Sequence, residues 1–252
     1  MILERSTRKR TVLPSRVASI RRDRVFPRRT VLLWAAGAGL FALPGFAPRG
    51  AQPAAASHSV HFRDRFDSGG LNALELPYPE DWIILSEGGR HYLHMKGSRP
   101  PGVPRRPLQF ALLKTPAVGS FTFRARVRRE GRSMIVVFNY VDTLHFYYTH
   151  LSMDAGRRQP VHNGIFLVNN ADRARIAGLE ATPALPDRRW HSIRVVRDAP
   201  AGRIEVYSDV ETRPLFSVID HAFTCGRIGI GSFDETGDFT DVELDSNDPC
   251  AL

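Results

Sequence analysis

Phe121-Thr122-Phe123-Arg124-Ala125-Arg126-Val127-Arg128 alternates an apolar side chain with a polar or basic one at every step. A period of two sends successive side chains to opposite faces of an extended chain, so this stretch reads as a strand with one buried and one wet face. Gly202 to Tyr207 (GRIEVY) repeats the pattern. Met134 to Phe138 and Ile165 to Val168 are apolar throughout, as strands buried on both faces are. About twelve to fourteen such runs follow Ser57, parted by turn formers such as Gly88-Gly89, Pro100-Pro101-Gly102, Pro200 to Gly202 and Asp234 to Gly237. No amphipathic helix of three turns occurs, and the best candidate, Asp172 to Leu179, is too short. These features predict an all-β domain, a sandwich or barrel.

The charge divides the chain. The net +9 of the 252 residues belongs to residues 1–56, which hold 11 of the 35 Lys/Arg and 2 of the 26 Asp/Glu. The remaining 24 of each sign leave residues 57–252 neutral, which excludes the basic footprint of a nucleic-acid binder. The leader looks like a twin-arginine export signal. Arg28-Arg29 precedes the uncharged stretch Thr30 to Pro48, and Ala54-Ala55-Ala56 offers a small-residue cleavage site before Ser57. Gly37, Gly39, Pro44 and Gly45 weaken that stretch as a permanent membrane span. The expected organisation is a signal over 1–56, read by the twin-arginine machinery and cleaved near Ala56. One β domain over 57–252 then works in the periplasm or outside the cell.

Four further pieces carry a family resemblance. Phe62-Arg63-Asp64-Arg65-Phe66-Asp67 opens the domain ahead of Trp82. Trp190 to Val195 (WHSIRV) is followed by Gly202 to Asp209 (GRIEVYSD), and Gly226 to Phe233 (GRIGIGSF) by Asp238 to Leu244 (DFTDVEL). This order resembles the concanavalin A-like, laminin-G-like jelly rolls, among them family 16 glycoside hydrolases and the 3-keto-disaccharide hydrolase group. The resemblance implies a two-sheet antiparallel jelly roll and a carbohydrate partner, with no organic cofactor. It does not decide activity, because this scaffold hosts lectins, hydrolases and lyases. The Glu-x-Asp-x-x-Glu string of family 16 has no counterpart mid-chain; the nearest, Glu243 to Asp248, ends in Asp at the C-terminus, beyond the expected last strand. No Gly-x-Ser-x-Gly elbow occurs either. Trp82 and Trp190 read primarily as packing residues. Gly229 and Gly231, alternating in a strand, imply close approach of another backbone.

Chemistry concentrates between Asn139 and Asn170. A two-residue turn at Asp142 would pair Tyr140 with Thr143, Phe138 with His145 and Val136 with Tyr147. One face then carries Phe138, His145, Tyr147 and Thr149, and the other Ile135, Val137, Leu144, Phe146, Tyr148 and His150. The second set is the better core face, leaving His145 and Tyr147 for the groove. If the strands either side of Leu151 to Val161 are antiparallel neighbours, His150 and His162 face each other across the loop mouth. His150, His162 and Tyr148 are therefore candidate proton-transfer groups. His145, Tyr147, Asp154, Arg157, Arg158 and Asn163 are candidate substrate contacts, the arginines suiting a uronate or sulfate. The spacing of His150, Asp154 and His162 matches no closed zinc motif. Two readings stay open: a glycan-cleaving lyase or keto-sugar hydrolase, and a non-catalytic glycan-binding domain.

The resemblance also implies a structural calcium where first and last strands meet, with Asp241 as ligand and Asp67 as partner. Cys225 and Cys250 can bond if Gly226–Ser232 and Asp238–Leu244 form a hairpin and the tail folds back. The alternative is a buried Cys225 and a free tail thiol.

Overall fold

The computed structural model describes residues 59–157, 162–209 and 212–252. The leader and Arg158 lie outside the described residues. Strands are numbered along the chain. Sheet A has eight strands: β13 (Phe216–Ile219), β12 (Arg203–Ser208), β11 (His191–Asp198), β6 (Phe121–Arg129), β15 (Gly237–Ser246), β4 (Arg90–Met95) and β3 (Trp82–Glu87) in that order, with β1 (Val60–Asp64) on β15. Sheet B has seven, in the order β10 (Ala174–Ala177), β9 (Gly164–Asn169), β8 (His145–Ser152), β7 (Ser133–Asp142), β14 (Arg227–Ser232), β5 (Gln109–Leu113) and β2 (Leu74–Glu75). Every pairing is antiparallel. A 3₁₀ turn, Pro79–Asp81, is the one helical element among the described residues. No described helix is long and apolar enough to cross a membrane. The fold is an all-β, two-sheet antiparallel jelly roll.

β6 shows how the alternation works. Phe121, Phe123, Ala125 and Val127 are buried in the core between the sheets, while Arg124, Arg126 and Arg128 occupy the other face. β11 and β12 add Ile193, Val195, Ile204 and Val206 to that core, against Val136, Phe138, Tyr147, Ile165 and Ile230 from sheet B. Each fully buried Phe or Ile contributes about 1.5–3 kcal/mol. Gly229 and Gly231 lie where a Cβ would meet Ala111 O at 2.7 Å and Gln109 O at 2.3 Å, the close backbone approach expected of them.

Four sequence expectations change. The β7–β8 turn is Thr143-Leu144, and Phe138 pairs with Tyr147 rather than His145. The cause is a bulge at Asn139, whose φ of +44° an asparagine tolerates, together with the Asp142 carboxylate accepting the Leu144 N–H at 2.7 Å. A slip of two leaves each face's membership intact, but the faces are reversed: Phe138 and Tyr147 are core, and Ile135, Val137, Phe146 and Tyr148 point outward. β14 and β15 form no hairpin, since they belong to different sheets. Glu243 and Asp245 lie within β15 rather than beyond the last strand, paired with Arg63 and with His61 and Arg124. Asp172 to Leu179, too short for a helix as expected, contains β10.

Cys225 and Cys250 are nonetheless disulfide-bonded. Val118 accounts for it: it bridges to both Gly226 and Pro249, and the Cys250 N–H donates to Ala117 O, which brings the tail beside the start of β14.

Sheet B is apolar on its outward face too. Phe110, Leu112, Ile135, Val137, Phe146, Tyr148, Phe166, Val168 and Phe233 form a second buried cluster there. Chain segments must therefore cover this face. Residues 97–108 are pinned at one end by Arg99, whose Nε donates to Asp81 at 2.5 Å. At the other end the Arg105 N–H donates to Asp172 Oδ1 (2.6 Å), and Arg105 O accepts from the Arg173 N–H (2.9 Å).

Candidate functional site

The expected groups His150, His162 and Tyr148 do come together on the outward face of sheet B. β8 and β9 are antiparallel neighbours with His150 opposite Gly164, and the His150 and His162 rings are 5.7 Å apart. Tyr148 stacks on Phe166 at 5.1 Å and His150 on Phe233 at 5.6 Å. Arg173, from the β9–β10 turn, sits over the Phe233 ring at 4.0 Å, and Arg105 lies 5.0 Å from the same ring.

The hydrogen bonds fix what His150 can do. Arg173 Nη1 donates to Tyr148 Oη (2.8 Å) and approaches His150 Nδ1 (3.1 Å). A guanidinium only donates, so Nδ1 carries the lone pair and Nε2 the proton, which goes to Ser133 Oγ at 2.8 Å. His150 is 1% exposed. Its pKa is pushed well below the ordinary 6.5 by burial, then by Arg173, His162 and Arg105. Burial, against the opposing Arg173, raises the Tyr148 phenol. Both groups are neutral and engaged. They form a roofed cluster, not the solvent-facing cleft that proton transfer requires.

His162 is different. Its Nδ1 meets Asp154 Oδ2 at 3.0 Å and its side chain is partly exposed. Asp154 is buried and also takes Arg132 Nη2 (2.6 Å) and Ser152 Oγ (3.1 Å). Asn163 is structural: its Oδ1 accepts the Ser152 N–H and its Nδ2 donates to Thr182 O.

The other expected contacts are elsewhere. Tyr147 is in the inter-sheet core, its hydroxyl donating to Asp220 and accepting the Phe223 N–H; burial and Asp220 push it up to about 12. His145 pairs locally with Asp142 at 2.8 Å. Arg157 Nε donates to Glu180 at 2.6 Å on the surface. Asp241 and Asp67 do line one hollow, but beside Arg65, Arg90 and His91. Arg65 holds Asp241 at 3.5 Å and His91 holds Asp67 at 3.3 Å. No group of three or more His, Cys, Asp or Glu able to hold a metal ion occurs among the described residues, and Asp241 and Asp67 each face a cationic or imidazole partner.

The open aromatic surface lies on the outward face of sheet A. β15 separates β6 from β4, which puts Thr240 beside Arg126 and Asp238 beside Arg128 and His94. The Arg128 guanidinium sits over both Trp190 (4.6 Å) and Tyr92 (5.1 Å) and donates to Asp238 (2.6 Å) and Glu87 (2.7 Å). Trp190 and Tyr92 meet edge-on at 5.7 Å. The Gly88-Gly89 turn, at φ +58° and +77°, sharply reverses β3 into β4 and presents Arg90 beside them. Glu87, Arg90, His91, Tyr92, Arg126, Trp190 and Thr240 line a hollow of about 400 Å³. The alternating arginines of β6 were the one local signal for it, since Trp190 read as packing.

No known family matches the sequence, and no curated protein does. Solved structures with two antiparallel sheets resemble it. The winged bean acidic lectin, complexed with methyl-α-D-galactose, aligns at a TM-score of 0.52 and 13% identity over 75% of this chain and 98% of that one. Carbohydrate-binding module CBM66 from Bacillus subtilis aligns at 0.46 and 18% over 66% and 96%. A putative glycosyl hydrolase from Parabacteroides distasonis aligns at 0.45 and 12% over 74% and 92%. At these identities the likeness concerns the jelly-roll fold.

Proposed function

We propose that this is an exported, non-catalytic carbohydrate-binding jelly roll whose ligand seats in the Trp190–Tyr92 hollow of sheet A. The carrying observation is that this hollow is open and combines an aromatic corner with guanidinium and hydroxyl groups, while His150 and Tyr148 lie under a roof. A few hundred Å³ lined by an aromatic body and convergent polar groups suits a sugar unit, whose C–H face packs on a ring while its hydroxyls find donors. The lectin alignment and the twin-arginine-like leader agree with this reading. Titration calorimetry of the full chain with acidic, neutral and 3-keto oligosaccharides tests it. Binding without turnover, lost in Trp190→Ala, is expected; binding untouched by that variant overturns the site. Mass spectrometry of the exported protein checks the leader, with a mature N-terminus near Ser57 expected.

One observation favours a catalytic reading. Asp154 orients His162 through Nδ1, which leaves Nε2 able to take a proton from a sugar. In that case His162 rather than His150 is the proton carrier, and lyase or keto-sugar cleavage of the panel is abolished by His162→Ala and untouched by Trp190→Ala, which lies on the other sheet.

A further inference from the structure

The hollow on sheet A carries information about the charge of its ligand. β6 sends Arg124, Arg126 and Arg128 to one face at two-residue spacing, about 7 Å apart. Their neighbours differ. Arg128 is held by Asp238 and Glu87, and Arg124 by Asp245 at 3.2 Å. Arg126 is flanked across the strands by Thr240 and Ser192, two hydroxyl residues, and lies 5.7 Å from the Trp190 ring. Arg90 enters the same hollow from the β3–β4 turn. Among the described residues Arg126 and Arg90 form no ion pair, and Glu87, the carboxylate that lines the same hollow, is held by Arg128. The acids nearby are already taken: Glu87 by Arg128, Asp241 by Arg65 and Asp67 by His91. In a domain whose Lys/Arg and Asp/Glu balance, two such arginines beside one aromatic platform are a local surplus of positive charge.

We infer that the hollow selects an anionic saccharide, with Arg126 and Arg90 binding a carboxylate or sulfate on a sugar ring packed against Trp190. A guanidinium presents parallel N–H donors that match either oxyanion, and a partly enclosed site strengthens such bonds. Thr240 adds a short hydroxyl beside the charge, able to accept from a sugar O–H. Thr240 Oγ1 donates to His91 O (2.9 Å), which leaves its lone pairs facing the hollow as acceptors.

The inference rests on the reading of this hollow as a saccharide site, and the experiment separates the two. The full chain is titrated with an oligogalacturonate, a sulfated oligosaccharide and an uncharged oligosaccharide of equal length, at low and high salt. One or both acidic ligands should bind at least tenfold more tightly than the uncharged one, and the better of the two identifies the oxyanion. High salt should erode that preference. Arg126→Gln and, independently, Arg90→Gln should abolish it, while Arg194→Gln on the same face keeps it; Arg90 lies on an exposed turn, so its variant tests the idea even where Arg126→Gln folds poorly. Equal binding of charged and uncharged ligands, both lost in Trp190→Ala, overturns the charge selection and leaves the saccharide site standing. Binding of any ligand unaffected by Trp190→Ala, or no binding at all, overturns both.

Discussion

The two outward faces of this sandwich solve the same problem in opposite ways. Sheet A follows the usual antiparallel rule: Phe123, Ala125 and Val127 face the core, and Arg124, Arg126 and Arg128 face water. Sheet B is apolar on both faces, so its outer cluster of Phe110, Phe146, Tyr148, Phe166 and Phe233 needs its own cover. Residues 97–108 and the side chains of Arg105 and Arg173 supply it. The teaching is about where a ligand can bind. A face that must be roofed to keep water out has given up its surface, whereas an ionic face needs no roof. His150, Tyr148 and Arg173, which look most like a reaction centre, are therefore engaged in packing, and the plainer face holds the open hollow.

The sharpest way to break this contrast is to truncate one aromatic on each face. Phe233 is 1% exposed and lies between His150 and the guanidiniums of Arg105 and Arg173. Phe233→Ala should cost about 3–5 kcal/mol, the range for a buried ring whose cavity cannot collapse. Trp190→Ala, at a half-open site, should cost less than ~1 kcal/mol while removing ligand binding. Urea unfolding of both variants checks this; equal costs would mean that the two faces are not opposites.

The next largest effect comes from the link between the sheets. The Cys225–Cys250 bond ties the start of β14 in sheet B to the tail of β15 in sheet A, across 25 residues. A loop of that length gives roughly 3–4 kcal/mol as a ceiling in the chain-entropy model. The tail also holds Ala117 and Val118 by backbone bonds that survive reduction, so about 2–3 kcal/mol should be lost in the Cys225→Ser/Cys250→Ser double variant. Melting curves with and without reductant measure the same quantity: wild type under reductant should match the variant, and an unshifted melt would place the tail outside the cooperative unit.

What could be read from the chain follows the same division. β6, β11 and β12 alternate cleanly, so their inner and outer residues were legible from the pattern of side chains alone. β7, β8 and β9 are apolar on both faces, and a period of two cannot say which face meets the other sheet; this is why Tyr147 and Tyr148 exchanged places. His150 and His162 were brought together correctly because β8 and β9 are joined by one loop, a local pairing. Their burial was not legible, because Arg105 and Phe233 arrive from distant segments. The β14–β15 hairpin failed for a related reason: consecutive strands of a jelly roll often enter different sheets, and a short Gly-containing connection looks alike in both cases. Trp190 read primarily as packing, since Tyr92 and Arg126 reach it only through the order β11–β6–β15–β4.

The roof over sheet B can also be titrated. His150 is neutral in the folded protein, with its pKa below the ordinary 6.5 because of burial and the cations Arg173 and Arg105 and the neighbouring His162. The unfolded chain takes up a proton near 6.5 and the folded chain does not. Stability is therefore full above that pH and falls below it, by about 1.4 kcal/mol per pH unit until the folded imidazole itself protonates. His150→Gln, which cannot titrate, should flatten this slope whatever it does to stability at pH 8. Urea unfolding from pH 8 to pH 5 for both proteins is the test; parallel curves would show that His150 reaches water.

The smallest effect belongs to the ionic face and completes the contrast. Arg124 and Asp245 form a pair at 3.2 Å with side chains 47% and 46% exposed. Two charges in that much water attract weakly, and ordering a long side chain offsets most of the gain. Arg124→Gln keeps the aliphatic stem and a donor, so it should change stability by no more than ~0.5 kcal/mol, and by less still at high salt. The comparison partner is Arg173→Gln on sheet B, where the guanidinium covers Phe233 and bonds both Tyr148 and His150. Losing it uncovers ring surface and leaves two buried acceptors short of a donor, a cost of about 1–3 kcal/mol that salt leaves largely unchanged. Salt-dependent unfolding of the two variants side by side reads the difference directly. If Arg124→Gln is the costlier substitution, the ionic face is structural, and the hollow beside it is no longer free to serve a ligand.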